Sequence, residues 1–313
     1  MKSVNKTNDD LGFGTKGADR SMQKDGSFNL ERVGEPKFKT YEIYHNLITM
    51  SWTKFILIVL SGYFVANLFF AFIYFFCGTD HLDGVPANMD STHKFLEAFF
   101  FSSQTLTTLG YGRIAPVGTL TSGIAAIESM IGLLSFALAT GLLYGKFSRP
   151  MAKLLWSENA IVAPYKEMTG LMFRVANLRR NQLIEVELEV TLAYFEKGNP
   201  TRQFIRLPLE RNKINLFPTS WTLVHPIDEN SPFLGKNLDD IHEMKTELIV
   251  LMKAFDDTFS QTIYSRTSYR SEEFMVGKKF LPMFSILESG QTRLDLRLIN
   301  AMENIELPEL IPA

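Results

Sequence analysis

One cysteine, Cys77, stands alone in 313 residues. No intrachain disulfide can form, and no cysteine spacing of a metal site exists. The five histidines (His45, His81, His93, His225, His242) are scattered and read as ordinary surface or core imidazoles. Neither sign of charge dominates. A formal net charge of −2 argues against a general nucleic-acid binder, so nucleic acid is not an expected partner. No nucleophile–base constellation stands out and no phosphate-cradling loop is marked, which leaves no catalytic residue, no cofactor site and no reason to expect an enzyme. Gly12-Phe-Gly14-Thr-Lys-Gly17 matches the dinucleotide fingerprint in letters only. That chemistry needs a strand before it and a helix after it, and residues 1–38 have no apolar period. Their polar, charged composition cannot bury enough surface to offset ordering and predicts a disordered terminus. The first apolar run begins at Phe55, too deep for a cleavable signal peptide.

That run is also where charge disappears. Phe55 to Phe76 has no charged residue in 22 positions and reaches about 33 Å as a helix, enough to span a bilayer. Cys77 to His93 is a polar exit loop. Phe95 to Thr107 is apolar but only about 20 Å long, too short to cross, and reads as a re-entrant helix surrounded by protein. Arg113 to Gly118 returns to the surface, with Pro116 and Gly118 blocking helix. Thr119 to Phe147 is a second span, interrupted by one acid, Glu128, which reads as a hydrogen-bonded structural group. Before the first span, Tyr44, Leu47, Ile48, Ser51, Trp52 and Phe55 share one helical face, so Tyr41–Lys54 predicts an amphipathic helix in the membrane interface. Nine Lys or Arg precede Phe55, whereas only Lys94 and Arg113 lie between Gly78 and Gly118. The bias places both termini in the cytoplasm.

Between the re-entrant helix and the second span lies Thr107-Thr108-Leu109-Gly110-Tyr111-Gly112. Gly110 and Gly112 allow the backbone to alternate its handedness. Successive carbonyl oxygens then turn to one side, where they replace the water shell of a dehydrated potassium ion. Thr108 adds a hydroxyl ring. One strand supplies a quarter of such a cage, so the reading requires four chains about one axis. The stretch resembles the potassium-channel signature T-x-G-Y-G, with Leu109 at the variable position. It implies a selectivity filter at Thr108, Leu109, Gly110, Tyr111 and Gly112, with K+ held by the carbonyls of Thr108 to Tyr111. Along the second span Ser129, Leu133, Phe136, Thr140 and Tyr144 share a stripe, which is either a helix-packing face or, in the reading taken here, the pore wall. Tyr144 would form a ring of four at the narrow end, with Phe136 a second ring above it. Gly132 and Gly141 are bend points or close-packing sites. Lys54, Lys146, Arg149 and Lys153 form a basic cluster that predicts contact with anionic phospholipid at the inner leaflet.

From Met151 the period changes from helix to strand. Ile184, Val186, Leu188, Val190 and Leu192 alternate with Glu185, Glu187, Glu189 and Thr191. Further strands are expected at Leu171–Leu178, Phe204–Leu207, Trp221–His225, Glu247–Phe255, Phe259–Arg270, Lys278–Phe284 and Leu294–Ile299, with a short helix at Leu238–Lys245. Many short strands without long helices predict a β-sandwich.

Taken together, Tyr44-His45 to Trp52, Thr108–Gly112, Gly141 to Pro150, Asn159 to Pro164, His225 to Pro232 and Arg266 to Gly277 resemble the inward-rectifier potassium channels, in their bacterial branch. The resemblance implies an α+β membrane protein: two transmembrane helices with a re-entrant pore helix and filter, plus a cytoplasmic immunoglobulin-like β-sandwich. It divides the chain into residues 1–38 (disordered terminus), 39–150 (interfacial slide helix and pore) and 151–313 (regulatory sandwich). It further implies a homotetramer in the bacterial inner membrane, potassium as permeant ion, and a gate where the inner helices cross, modulated by phosphoinositide-type lipid. Phe136 falls where strong rectifiers carry an acid. The cytoplasmic constriction falls at Ala254–Ser260, where Asp256 and Asp257, with Phe259, would ring the ion path. The alternative, a two-span potassium channel gated by another cytoplasmic ligand, needs alternating strands and helices that the C-terminal half lacks. A membrane-anchored sandwich that only binds a partner leaves Thr107–Gly112 unexplained.

Overall fold

The computed structural model describes residues 20–31, 33–34, 42–148, 153–179, 181–217 and 219–307. The chain forms two compact units, residues 34–149 and a second made of residues 1–33 with 150–313.

In the first unit the four helices are α1 (Ile43–Thr49), α2 (Trp52–Cys77), α3 (Ser91–Leu106) and α4 (Thr119–Phe147). Both α2 and α4 are long and apolar enough to cross a membrane. The short α3 lies between them, and its Ala98 and Phe101 pack with Phe70 and Tyr74 of α2 and Ala125 of α4. Two-residue strands β1 (Leu82–Asp83) and β2 (Ala115–Pro116) pair antiparallel, tying the loop before α3 to the segment after it. Gly84 makes that tie possible: its φ is +94°, and a Cβ there would lie 2.0 Å from the Arg113 carbonyl oxygen.

The expected single helix over Tyr41–Lys54 is corrected. Met50 and Ser51 are extended (ψ 165° and 152°), so α1 stops at Thr49 and Trp52 begins α2. The periodicity runs unbroken across this point because no glycine or proline marks the break. What favours it is tertiary: the Ile48 and Met50 carbonyls accept hydrogen bonds from Lys146 of α4.

The second unit is the expected β-sandwich. Its strands are β3 (Leu154–Trp156), β4 (Ala160–Tyr165), β5 (Met168–Asn177), β6 (Leu183–Phe195), β7 (Arg202–Leu207), β8 (Lys213–Phe217), β9 (Ser220–Ile227), β10 (Glu247–Asp256), β11 (Gln261–Arg270) and β12 (Phe274–Val276), with α5 (Leu238–Glu243) before β10. One sheet runs β11-β10-β6-β7 with β8 also on β6; the other runs β12-β4-β5-β3 with β9 also on β5. The core is filled from both, Leu188, Val190, Val250 and Met252 from the first and Leu171, Phe173, Val175 and Leu223 from the second. Two small strand pairings remain, β13 (Lys278–Phe280) with β16 (Met302–Asn304), and β14 (Phe284–Ile286) with β15 (Thr292–Leu294).

Three strand expectations change here. The expected strand Lys278–Phe284 breaks at 281–283, leaving Lys278–Phe280 in β13 and Phe284 at the start of β14. Leu296–Asn300 is a 3-10 turn started by the Asp295 side chain, which accepts from the Arg297 amide, so the expected strand Leu294–Ile299 ends at Leu294. In β6, Glu185 bulges at φ +50°, and the register to β8 skips it. The inward residue before the bulge is therefore Leu183, not Ile184.

The disordered terminus is corrected over Arg20 to Leu30. A Met22–Phe28 bridge closes a hairpin on the outer face of the first sheet, and Met22 packs with Ala193, Phe204 and Ile249. The Glu247 carboxylate accepts from the amides of Ser21 (2.9 Å) and Met22 (3.0 Å). Arg202 donates to the same carboxylate at 2.7 Å, both side chains being fully buried. Lys24 lies 3.9 Å from the centre of the Tyr269 ring. Hydrogen bonds and one methionine, not an apolar pattern, hold this segment.

His225 is buried in the sandwich, its Nδ1 2.6 Å from the Pro208 carbonyl and its Nε2 2.9 Å from the Ser231 hydroxyl. Burial holds the imidazole below the ordinary histidine value, offset in part by that carbonyl and by Asp228. In the unfolded chain it titrates near pH 6.5. As pH falls through that value the unfolded state takes up the proton first, so stability present above pH ~6.5 is lost on acidification. The thermal midpoint at pH 5.5 is expected below that at pH 7.5, by a margin that His225→Gln removes. Identical pH dependence in the two proteins would show that His225 is not the cause.

Candidate functional site

The non-helical segment after α3 is fixed from behind and open in front. The Thr107 hydroxyl donates to the Ser103 carbonyl at 2.7 Å, and the amides of Leu109 and Gly110 both point to the Gln104 carbonyl (2.9 and 3.4 Å). Thr108, Gly110 and Gly112 have φ of 57°, 52° and 79°. Every second residue is thus left-handed, which is the alternation the two glycines allow. Thr108 takes part without being glycine, at a cost of order 1–3 kcal/mol that the neighbouring structure must supply. Residues 107 to 112 are exposed in the single chain, Tyr111 by 74%. Beyond them Arg113 pairs with Glu97 of α3, closing the segment back onto the helix it leaves.

A buried polar network joins α2, α3 and α4. The Glu128 carboxylate is fully buried and accepts from Tyr74 (2.7 Å) and Ser102 (2.5 Å). Ser102 also lies 3.2 Å from the Asn67 carbonyl, and the Asn67 amide donates to the Tyr63 carbonyl at 2.8 Å. Glu128 therefore has the structural place expected for it. Its partners Tyr74 and Ser102, and Asn67 beyond Ser102, carry no marking in the sequence beyond the lone asparagine inside a charge-free span. Gly132 is a close-packing site: a Cβ there would sit 1.9 Å from the Leu106 carbonyl oxygen, at the end of α3. Gly141 has no such neighbour within 4 Å.

Phe136, Thr140 and Tyr144 stand one above another on an exposed side of α4, Phe136 and Tyr144 each 74% exposed. Thr140 turns its hydroxyl back to the Phe136 carbonyl at 2.9 Å. Of the basic cluster, Lys54 and Lys153 are exposed, and Lys153 belongs to the other unit. Arg149 lies outside the described residues. Lys146 departs from the expectation of a lipid-facing charge, being 9% exposed, because its ammonium is drawn onto the carbonyls at the end of α1. Asp256 is buried as well. It is 1% exposed, accepts from Asn181 (2.7 Å) and from the Thr258 amide (3.0 Å), and so shapes the β10–β11 turn. Asp257 is exposed at that turn, and Phe259 lies under the Arg179 guanidinium at 5.5 Å.

Two membrane-length helices, a short helix packed between them, an alternating-handed exposed segment and a separate sandwich define a membrane-embedded channel. The chain belongs to the inward rectifier potassium channel family. The model of the family's transmembrane domain matches residues 22–150, and that of its C-terminal domain residues 154–312. The inward rectifier potassium channel Kirbac3.1 of Paramagnetospirillum magnetotacticum is 35% identical over 281 residues, 88% of this chain and 93% of that protein. The human G protein-activated inward rectifier potassium channel 4 is 27% identical, over 91% of this chain and 73% of its own length. The human ATP-sensitive inward rectifier potassium channel 12 is 26% identical, over 88% and 69%. The family is one of ion channels, with potassium as the permeant ion.

Proposed function

We propose that four copies of this chain form a potassium-selective pore in a bacterial inner membrane, with both termini in the cytoplasm. The observation that carries this reading is the alternating φ of Thr108, Gly110 and Gly112 at the end of α3. With that alternation the carbonyls of Thr108, Leu109, Gly110 and Tyr111 form the potassium sites, and Gly112 completes the filter. Fourfold assembly gives the exposed segment its missing partners. It also covers the apolar flanks of α2 and α4, where a hollow of about 670 Å³ opens beside Leu133 and Phe136. Tyr144 and Phe136 then form stacked aromatic rings in the pore wall, with Thr140 between them. An apolar constriction excludes water and stops a dehydrated ion, so Tyr144 is the gate. Anionic lipid meets Lys54, Arg149 and Lys153 and biases that gate. Asp257 and Phe259 remain at the cytoplasmic constriction.

One flux assay on liposomes holding the purified protein tests filter and gate together. Gly110→Ala places a Cβ at φ 52°, at a cost of about 1–2 kcal/mol in each subunit, and is expected to lower potassium flux and selectivity over sodium. Tyr144→Ala is expected to raise basal flux. A Gly110→Ala protein with wild-type selectivity rejects the filter register, and unchanged flux from a stable Tyr144→Ala tetramer rejects the gate.

A further inference from the structure

The main core of the sandwich is open at one end. A hollow of about 560 Å³ enters it there, within the size range of small-ligand sites. Its floor is built from Leu171, Phe233, Ile241 and Phe274, all members of the core. Three exposed polar residues stand at its mouth, Lys236, Asn237 and Asp239. Asn237 is already engaged, since it caps α5 by accepting from the Asp240 amide at 2.8 Å. The rim also includes Leu307. The chain arrives there from β16 as a continued edge. The Ile305 amide donates to the Gly277 carbonyl at 3.0 Å, and the Gly277 amide donates to the Val162 carbonyl of β4 at 3.0 Å. Ile305 and Leu307 are half-buried and Glu306 between them is exposed, the period of an extended chain laid on a surface.

Six residues follow Leu307 in the sequence, Pro308-Glu309-Leu310-Ile311-Pro312-Ala313, and lie outside the described residues. We infer that this segment is the occupant of the hollow, with Leu310 and Ile311 over the apolar floor and Glu309 beside Lys236. Leu307 delivers the chain to the rim, so the segment acts at a high effective concentration and no free ligand competes on equal terms. At about 3.3 Å per residue, Leu310 and Ile311 reach about 10 and 13 Å beyond Leu307, enough to cross the mouth. A residue before proline is biased to extended backbone, which here applies to Leu307 and Ile311. The segment therefore reads as a strap and not as a helix that turns away. Its chemistry matches the hollow: two large apolar side chains for the floor, and one acid for the lysine at the edge. An exposed ion pair adds little energy, so the apolar pair holds the strap and the charges orient it. Seated there, the strap joins the β16 edge to α5 and closes the core.

The test uses the purified full chain with its one cysteine removed (Cys77→Ser), so that thiols can be placed singly. Maleimide labelling rates are compared for Leu310→Cys, Ile311→Cys and Ala313→Cys. The first two are expected to react roughly tenfold or more slowly than the third in the folded protein, and at the same rate in denaturant. Amide hydrogen exchange across Leu238–Glu243 gives a second reading. In the wild-type background, Leu310→Asp with Ile311→Asp should speed it about tenfold while leaving β6 unchanged. Equal labelling of the three positions overturns the proposal and leaves the hollow to a free amphiphile, which native mass spectrometry of the same protein would show. Exchange in α5 that ignores the double aspartate change overturns it as well. Oxidation of Lys236→Cys combined with Glu309→Cys is expected to join the two positions within one chain. Linked dimers on a non-reducing gel would instead put a second copy's segment in the hollow and overturn the assignment.

Discussion

Replacing Gly132 with alanine is expected to abolish potassium flux, whereas the same change at Gly141 should leave it intact. A Cβ at Gly132 would lie 1.9 Å from the Leu106 carbonyl oxygen and 2.7 Å from its carbon. Both are backbone atoms, so no side chain can swing aside. Either α4 or the end of α3 must move by an ångström or more. The end of α3 leads directly into Thr107–Gly112, where Thr108 already holds a strained φ. Overpacking of this kind costs about 1–3 kcal/mol or more. At Gly141 nothing lies within 4 Å of the added Cβ, and alanine gains about 1 kcal/mol of helix propensity. Flux and tetramer yield measured side by side separate the two sites. Equal behaviour would mean that the close approach at Gly132 does not govern the segment Thr107–Gly112.

A second large effect is expected at Glu247. The Glu247→Ala protein loses the carboxylate that meets both Arg202 and the amides of Ser21 and Met22. Removing one partner of a fully buried ion pair costs about 3–5 kcal/mol. For a unit of this size that corresponds to a fall in melting temperature of about 10 °C or more. The Arg20–Leu30 hairpin should undock, because its two anchoring amides lose their acceptor. Trypsin then cuts at Arg20 and Lys24 well before the sandwich is degraded. Wild-type protection of those bonds in a destabilised Glu247→Ala protein would show that the hairpin is held by Met22 and the Lys24–Tyr269 contact instead.

What could be read beforehand follows from how each element is held. The spans α2 and α4 show in the chain because a bilayer demands an uninterrupted apolar run, and their observed ends lie within three residues of the expected ones. The strands of the sandwich show because each buries one face. The hairpin at Arg20–Leu30 does not, because its partners Arg202, Glu247 and Ser268 stand far along the sequence and its own residues are polar. The break at Met50–Ser51 is hidden for the same reason, its cause being Lys146. Asp256 misled because a carboxylate at a strand end serves equally well as a turn cap or as an exposed charge. For Thr107–Gly112, glycine announced two of the three left-handed positions, and Thr108 became visible only in the folded backbone.

The Glu128 network also bears on how the protein enters its membrane. Asn67, Tyr74 and Ser102 all precede Glu128 in the order of synthesis. By the time α4 is synthesised, every group that will receive its carboxyl is already part of the chain. An ionisable side chain alone at the bilayer centre costs about 2.5–3.5 kcal/mol by insertion scales. Helix α4 thus settles at one depth and one rotation, those at which Tyr74 and Ser102 can reach Glu128. A polar pocket completed early acts as a template for the last helix, so the acid that weakens α4 as a membrane segment is also what aligns it during biogenesis.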